Sequence, residues 1–408
     1  MKEFVLLSPA SAEVVRATLP VIGAAIGDIT PVFYQRLFDE HPDLGRDLFN
    51  RANQAQGHQQ RALAGAIAAY ASLLVAEDGP DPKSVLARIA HKHASLGVIA
   101  EQYKAVHDNL FAAIIEVLGD AVTPEVAAAW DEVYWEMANA LIEVETGLYT
   151  DAGAEPGEIW RTLIVDRRVQ QSPTTVSFRF VSPDGSPLPP ATPGQYLSVA
   201  VQLPDGAQQI RQYSLTNTLD KNAWEITVKA IGALRREGRL VPGGVSNFLH
   251  DNVFEGDEVK VSAPFGELTL PDGEAPLVLI SAGIGITPMM GFLHYLADTG
   301  SQRQVLMLHA DQSPSQHAHR NELLELVAQL PGATLLRWYE DPGVRNDEGL
   351  RPGRIDLSDV ELPDESEIYL CGPLPFMAVV HDVLLERGVP EERIHYEIFG
   401  PARKLPAA

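Results

Sequence analysis

LISAGIGITPMM (residues 279–290) sets Gly283, Gly285, Thr287 and Pro288 between an apolar run and a helix-like segment. A strand that turns through glycines into a helix brings backbone N–H groups and the positive end of the helix dipole to one point, which suits an anion. The same letters also describe a tight turn with no ligand. Reading outward, PLVLIS, QVLMLHA, TLLRWYE and EIYLCG are strand-like, while MMGFLHYLADTG, RNELLELVAQL and MAVVHDVLLERG are helical. Such alternation predicts βαβ units on a parallel sheet. YLCGPLPFM (369–377) supplies a second strand end at Cys371, Gly372 and Pro373, and ligands of open parallel sheets bind where strand ends meet. The last strand is read as IHYEIFGP (394–401), which includes Glu397 and Phe399.

Before this region the texture differs. From about residue 160 to 268, short β-prone runs (TTVSFRFV, QYLSVAVQL, WEITVKAI) are punctuated by SPDGSPLPP, LPDG and PGG, which predicts an antiparallel barrel or sandwich. IRQYSL (210–215) places Arg211, Tyr213 and Leu215 on one strand face and Gln212 and Ser214 on the other. Arginine suits a phosphate, and a tyrosine with a neighbouring hydroxyl suits a flat, hydrogen-bonding ring. GGVSNFLH (243–250) reads as a glycine-rich turn entering a helix, with Ser246 as its cap. Singly, each piece is an ordinary strand face or capped helix.

Residues 1–150 are alanine-rich and helix-periodic, so an all-α domain is expected. Val126, Trp130, Val133, Met137, Leu141, Val144 and Leu148 recur at three- and four-residue steps, and Thr123 with Pro124 fits a cap and first helical position. DAGAEPGEIW (151–160) reads as a linker. In RIAHKHASLGV (88–98), a helix centred on Ile89 puts His93 about 40° from that centre and His91 roughly opposite, facing solvent. The two cannot chelate one ion. His93 is then either a core side chain satisfied by a backbone carbonyl or a ligand, and the helix alone does not decide. Tyr34 shares a face with Leu37 and Phe38; Gln59 shares a stripe with Leu63, Ile67 and Tyr70. Tyr103 follows a turn near Gly97, and Glu145 is read in the last turn of its helix, where an acid opposes the dipole.

The 408 residues have room for several cores, and the formal charge of -24 argues against nucleic acid and anionic membranes as partners. One cysteine fits a reducing compartment. There is no signal-peptide layout and no stretch approaching the roughly 18 apolar residues of a membrane span. A cytoplasmic, monomeric protein with small-molecule partners is expected.

Taken in order, R-x-Y-S, G-x-V-S, G-x-G-x-T-P and C-G-P resemble the ferredoxin–NADP reductase superfamily over roughly residues 158–401. The resemblance implies FAD at Tyr196, Arg211, Gln212, Tyr213, Ser214, Gly244, Val245 and Ser246. It implies NADH or NADPH at Gly283, Gly285, Thr287, Pro288, Cys371, Gly372 and Pro373, with Glu397 and Phe399 near the flavin. A flavin reductase needs an electron acceptor, which favours His93 as a haem ligand. Tyr34, Phe49, Gln59, Leu63, His93, Tyr103 and Glu145 stand where bacterial haemoglobins carry their pocket residues, and the whole chain resembles the flavohaemoglobins, bacterial nitric oxide dioxygenases.

That resemblance implies a globin domain (1–150) holding haem b, an antiparallel β-barrel FAD domain (151–268) and an α/β NAD(P) domain with a parallel sheet (269–408). It implies electron flow from NAD(P)H through FAD to haem, where O₂ converts nitric oxide to nitrate. His93 would bind the iron, Tyr34 and Gln59 would serve as donors to oxygen, and Tyr103 and Glu145 would engage the other nitrogen of His93. Phe49 and Leu63 would exclude water. The alternatives are an oxygen-binding or gas-sensing haemoprotein with a maintenance reductase, and a haem-independent flavin reductase. The sequence departs from the family at Ile286, where glutamine is frequent, and in a longer segment at 230–242. Asp311, His317 and Arg320 leave the choice between NADH and NADPH open.

Overall fold

The computed structural model describes residues 7–49, 58–76, 86–203, 205–217, 219–232, 234–236, 239–241, 244–344, 347–400 and 405; side chains at 58–62, 64, 234–236 and 239–241 are outside that set. The chain divides into two compact units, Met1–Trp160 with Pro204–Ile210, and Arg161–Leu203 with Arg211–Ala408.

The first unit is built on helices α1 (Pro9–Glu40), α2 (His58–Leu74), α3 (Ala87–Ala94), α4 (Ala100–Leu118) and α5 (Pro124–Asp151), with a π-turn at Leu44–Leu48. Helix α1 packs against α2, α4 and α5, and α3 packs against α5. The start of α5 matches the sequence expectation: the Thr123 hydroxyl accepts the Val126 N–H at 3.3 Å and Pro124 opens the helix. Helix α1 corrects another expectation. It contains an 18-residue window of mean hydropathy 1.3, long and apolar enough by those measures to cross a bilayer. Its side chains Val15, Ile22, Ile29, Phe33 and Leu37 are instead buried in the helical core.

The second unit begins with β1 (Trp160–Ser172), β2 (Thr175–Val181), β3 (Tyr196–Gln202), β4 (Gln208–Ser214) and β5 (Ala223–Lys229). A ribbon of β6 (Leu234–Arg236) and β7 (Arg239–Val241), helix α6 (Val245–Asn252) and β8 (Glu258–Ser262) follow. The sheet order is β4-β3-β8-β1-β2-β5, and an antiparallel bridge from Leu215 to Ile226 joins the two edges into a barrel. Its core is aromatic and β-branched, including Phe178, Phe180, Trp224 and Val261. Strands β1 and β8 escaped the sequence reading because WRTLIVDRRVQQS buries only Leu163, Val165 and Ser172 at irregular spacing, and EVKVS is a short run of five residues.

Next come β9 (Leu277–Ala282), α7 (Ile286–Asp298), β10 (Val305–Asp311), α8 (Arg320–Gln329), β11 (Ala333–Tyr339), β12 (Leu350–Pro352), β13 (Glu367–Cys371), α9 (Leu374–Glu386) and β14 (Ile394–Glu397). The strands are parallel in the order β12-β11-β10-β9-β13-β14, so the winding reverses between β9 and β13, the place where such sheets open a crevice. Strand β14 ends at Glu397. Phe399 therefore lies beyond the strand, 44% exposed, and Pro401 is outside the described residues.

Candidate functional site

On α3 the buried stripe is Leu86, Ala90 and Ala94, with Ile89 only half-buried. The centre of the buried face is displaced by about 100° from Ile89, so the two histidines flank the stripe on opposite sides. His91 accordingly does not face open solvent: burial lowers its pKa to about 4. His93 Nδ1 lies 2.9 Å from Glu145 Oε1 and 3.0 Å from the Tyr103 hydroxyl, which itself donates to Glu145 Oε1 at 2.6 Å.

Glu145 is 2% exposed and meets Tyr103, a member of the apolar cluster with Tyr70, Leu86, Ala90 and Leu141. A carboxylate there needs donors, and among the described residues His93 and Tyr103 supply them. It does not sit in the last turn, because α5 continues to Asp151. The demand for Glu145 comes from the imidazole, and the dipole argument falls away. Burial and the Glu145 charge push the Tyr103 hydroxyl far above its ordinary pKa, so it remains a donor.

The segment that follows is fastened by Tyr149, whose hydroxyl donates to the Val98 carbonyl at 2.6 Å, and Tyr134 does the same for Tyr103. Nε2 of His93 has no hydrogen bond among the described residues, and the side chain is 32% exposed. An imidazole anchored by a carboxylate at Nδ1 with Nε2 open is the donor set of a haem ligand, so the residues fit that group. Among the described residues no group of three His, Cys, Asp or Glu is placed to hold a bare metal ion.

Tyr34 is buried in an aromatic cluster, its ring centroid 4.8 Å from Phe33, 5.6 Å from Phe38 and 5.9 Å from Phe49, with Leu63 packed on the same cluster. Gln59 lies in α2, but its side chain is outside the described residues.

On β4, Ser214 is buried and its hydroxyl has no hydrogen-bond partner among the described residues. Burial pulls the Arg211 guanidinium below its usual pKa and pushes the Tyr213 phenol up. A buried hydroxyl left unpaired costs about 1–3 kcal/mol, and a flavin nucleotide offers the acceptors and charge that offset it. Gln212 is tied inside the protein, its Nε2 donating to Ser198 Oγ at 2.8 Å. Tyr196 opens β3 with its N–H on the Phe265 carbonyl at 2.7 Å.

Helix α6 begins at Val245 with Gly244 as its cap and no side-chain cap bond; Ser246 falls inside the first turn, which corrects its expected role. The leading N–H groups are thereby left for a ligand. Gly243 is outside the described residues, as are the side chains of the 233–243 segment.

At the crevice, Gly283 adopts a left-handed φ of 53°, a conformation that favours glycine. Gly285 has a different reason. A Cβ there would lie 2.3 Å from the Cys371 carbonyl oxygen, so its absence lets two strand ends meet and does not by itself admit a phosphate. Gly372 likewise makes room for Phe376. The Thr287 hydroxyl donates to the Ile284 carbonyl at 3.0 Å, and Pro288 is buried behind it. Cys371 pairs in register with Ser281 and Glu397; burial, then the Glu397 charge, raises its thiol well above the ordinary value. Pro373 caps α9.

His317 turns inward, its Nδ1 2.6 Å from the Tyr339 hydroxyl and its ring stacked 4.0 Å from His309. Arg320 Nη2 is 3.6 Å from Asp347, and Asp311 accepts the Gln312 N–H at 2.7 Å. The sequence reading missed Lys229, whose Nζ comes 3.9 Å from the Cβ position of Gly283 and brings a barrel cation to the glycine turn. Its only signal was a cation closing the WEITVKAI run.

The Globin family model matches residues 32–141, the oxidoreductase FAD-binding domain residues 162–270 and the oxidoreductase NAD-binding domain residues 279–382. The flavohemoprotein of Rhizobium meliloti (strain 1021) is 41% identical over 407 residues, 97% of this chain and 99% of that protein. The crystal structure of flavohemoglobin from Malassezia yamatoensis with bound FAD and heme is similar at a TM-score of 0.86 and 36% identity, covering 97% of this chain and 100% of that one. The flavohem-like FAD/NAD binding domain of nitric oxide dioxygenase from Vibrio cholerae O1 biovar El Tor is similar at a TM-score of 0.53 and 38% identity, over 59% of this chain and 99% of that one.

Proposed function

The chain belongs to the flavohaemoglobin family, and from that premise we propose that this oxidoreductase is a nitric oxide dioxygenase, using NAD(P)H and O₂ to turn nitric oxide into nitrate. Haem supplies the iron for oxygen chemistry, and FAD exchanges a two-electron hydride for single electrons. His93 would hold the iron through Nε2, because Nδ1 is committed to Glu145. Glu145 accepts the Nδ1 proton, which fixes the tautomer, orients the ring and makes it more electron-donating. Tyr103 shares that carboxylate and keeps it from swinging away.

Tyr34, with Gln59, supplies donors for the negative charge that builds on oxygen. Phe49 and Leu63 keep water out. In the reductase half, Arg211, Tyr213, Ser214 and the start of α6 hold FAD. Gly283 to Pro288 and the Cys371-Gly372-Pro373 turn hold the nicotinamide dinucleotide at the reversal of the sheet. The similar reductase half from Vibrio cholerae is that of a nitric oxide dioxygenase.

The observation that carries this reading is the imidazole anchored at Nδ1 by a buried carboxylate and open at Nε2. Simple oxygen storage needs neither that carboxylate nor a reductase. The test is NAD(P)H oxidation by the purified protein under O₂ with nitric oxide added. Nitric oxide loss and nitrate formation should track coenzyme consumption, and turnover no faster than free flavin would overturn the proposal.

A further inference from the structure

A buried polar seam joins the barrel to the α/β lobe within the second unit, and neither cofactor motif accounts for it. His319, 1% exposed, is at its centre. Its Nε2 lies 2.7 Å from Thr227 Oγ1 on β5, and its Nδ1 lies 2.5 Å from Glu322 Oε2 on α8. Its backbone N–H donates to Gln171 Oε1 on β1 at 3.2 Å. The seam continues on both sides: Thr227 meets Ser177 Oγ on β2 at 2.7 Å, and Glu322 Oε1 lies 2.8 Å from His294 Nε2 on α7. Strands β1 and β5 and helix α8 are thus tied through one side chain and its own backbone, and Glu322 extends the tie to α7.

The backbone at His319 is left-handed, with φ 60° and ψ 16°, one of two such non-glycine residues among those described. That conformation is unfavourable for a residue with a β-carbon and persists only where the surroundings enforce it. Here it turns the imidazole back onto the barrel while the chain leaves to form α8. Glu225, on β5, faces the same seam and is raised by burial, with Glu322 adding to the rise and His319 opposing it. Burial would raise Glu322 too, but hydrogen bonds from His294 and His319 hold its carboxyl well below the usual range.

Its location gives the seam a consequence. Helix α7 carries Gly283 to Pro288 at its start, and one turn along it touches the barrel at Gly291, where a Cβ would lie 2.7 Å from the Leu215 carbonyl oxygen. Leu215 directly follows Ser214 and forms the closing bridge with Ile226, the neighbour of Thr227. A short path therefore runs from the Arg211–Ser214 strand through Leu215, Ile226, Thr227, His319, Glu322 and His294 back to α7. We propose that His319 is a positioning residue for hydride transfer, fixing the helix that carries the nicotinamide turn against the strand that carries the flavin residues. It touches neither cofactor motif and acts through α7. The proposal rests on the reductase half alone and is independent of nitric oxide chemistry.

Anaerobic stopped-flow measurement of flavin reduction by NADH tests it on the full-length holoprotein. His319→Asn keeps tolerance of the left-handed backbone but is too short to span Thr227 and Glu322. The limiting reduction rate should fall about tenfold to a hundredfold, while FAD content and the dissociation constant for NADH stay within about twofold. Thr227→Val removes one bond at constant shape and should give a smaller fall, with the double variant no slower than His319→Asn. Hydrogen exchange should quicken in residues 286–298 of the variants, and the flavin difference spectrum with NAD⁺ should weaken. An unchanged limiting rate in either variant overturns the proposal. So does a loss explained wholly by weaker FAD or NADH binding, since that would make the seam a matter of stability only.

Discussion

Each unit sets a histidine against a glutamate, and the two clusters use the ring in opposite ways. His93 gives Nδ1 to Glu145 and Tyr103 and leaves Nε2 without a bond among the described residues, on a side chain 32% exposed. His319 spends both nitrogens, on Thr227 and Glu322, and is 1% exposed. A ring with one nitrogen still open is prepared for something the chain does not supply; a ring with both committed holds pieces of the chain together. A carboxylate at Nδ1 is common to both and does not separate them. The open valence does.

The largest expected effect therefore belongs to His93. His93→Ala should abolish haem retention and nitric oxide consumption while FAD stays bound and NADH still reduces it. The Soret-to-flavin absorbance ratio of the purified variant reads the first effect, and anaerobic flavin reduction reads the second. Added imidazole should restore part of the Soret band by filling the vacated volume. Full haem occupancy in the variant without imidazole would make His93 a second strut and erase the comparison.

How far the sequence led differs between the clusters for a physical reason. Helical period places His93 on the apolar side from local spacing alone, even though the true stripe runs through Leu86, Ala90 and Ala94 and His91 is less exposed than expected. The parallel sheet was legible because strands such as PLVLIS, buried on both faces, announce themselves as continuous apolar runs, as all six residues of β9 show. Strand β1 was not, since its burial is irregular around two register shifts, and β8 was not, since its alternation runs for only the five residues EVKVS. Gly285 looked like a phosphate glycine, whereas the atom it makes room for is the carbonyl of Cys371, distant in sequence. His319 was invisible for the same reason: its partners Gln171 and Thr227 lie far upstream, and no spacing rule connects them.

Glu145→Gln comes next in size. The amide keeps the shape but cannot hold the Nδ1 proton as a carboxylate does, so haem should still bind while turnover slows about tenfold to a hundredfold. Steady-state nitric oxide consumption at saturating NADH measures it, and an unchanged rate would reduce Glu145 to a packing group. Tyr103→Phe removes one of the two donors to that carboxylate. Its effect should be smaller, about 1 kcal/mol on unfolding with a few-fold loss of turnover at most. A larger loss than for Glu145→Gln would mean that Tyr103, and not the carboxylate, is the main partner of His93.

The smallest effect tests the closed cluster through pH. Burial alone would lower the His294 pKa, but Glu322, with Asp298 and Glu225, raises it above the ordinary 6.5. A histidine whose pKa is higher folded than unfolded binds its proton more tightly in the native state. It stabilises the fold fully below pH 6.5, and that contribution fades as pH climbs through the raised folded value. Because the side chain is 25% exposed, solvent screening keeps the contribution small, and a melting shift of about 2 °C is expected. Calorimetric scans of the holoprotein from acid to alkaline pH should therefore show a gap between wild type and His294→Gln at the acid end that closes on the alkaline side. A gap that widened with pH would mean that the neutral imidazole is the stabilising form, and that Glu322 serves His319 alone.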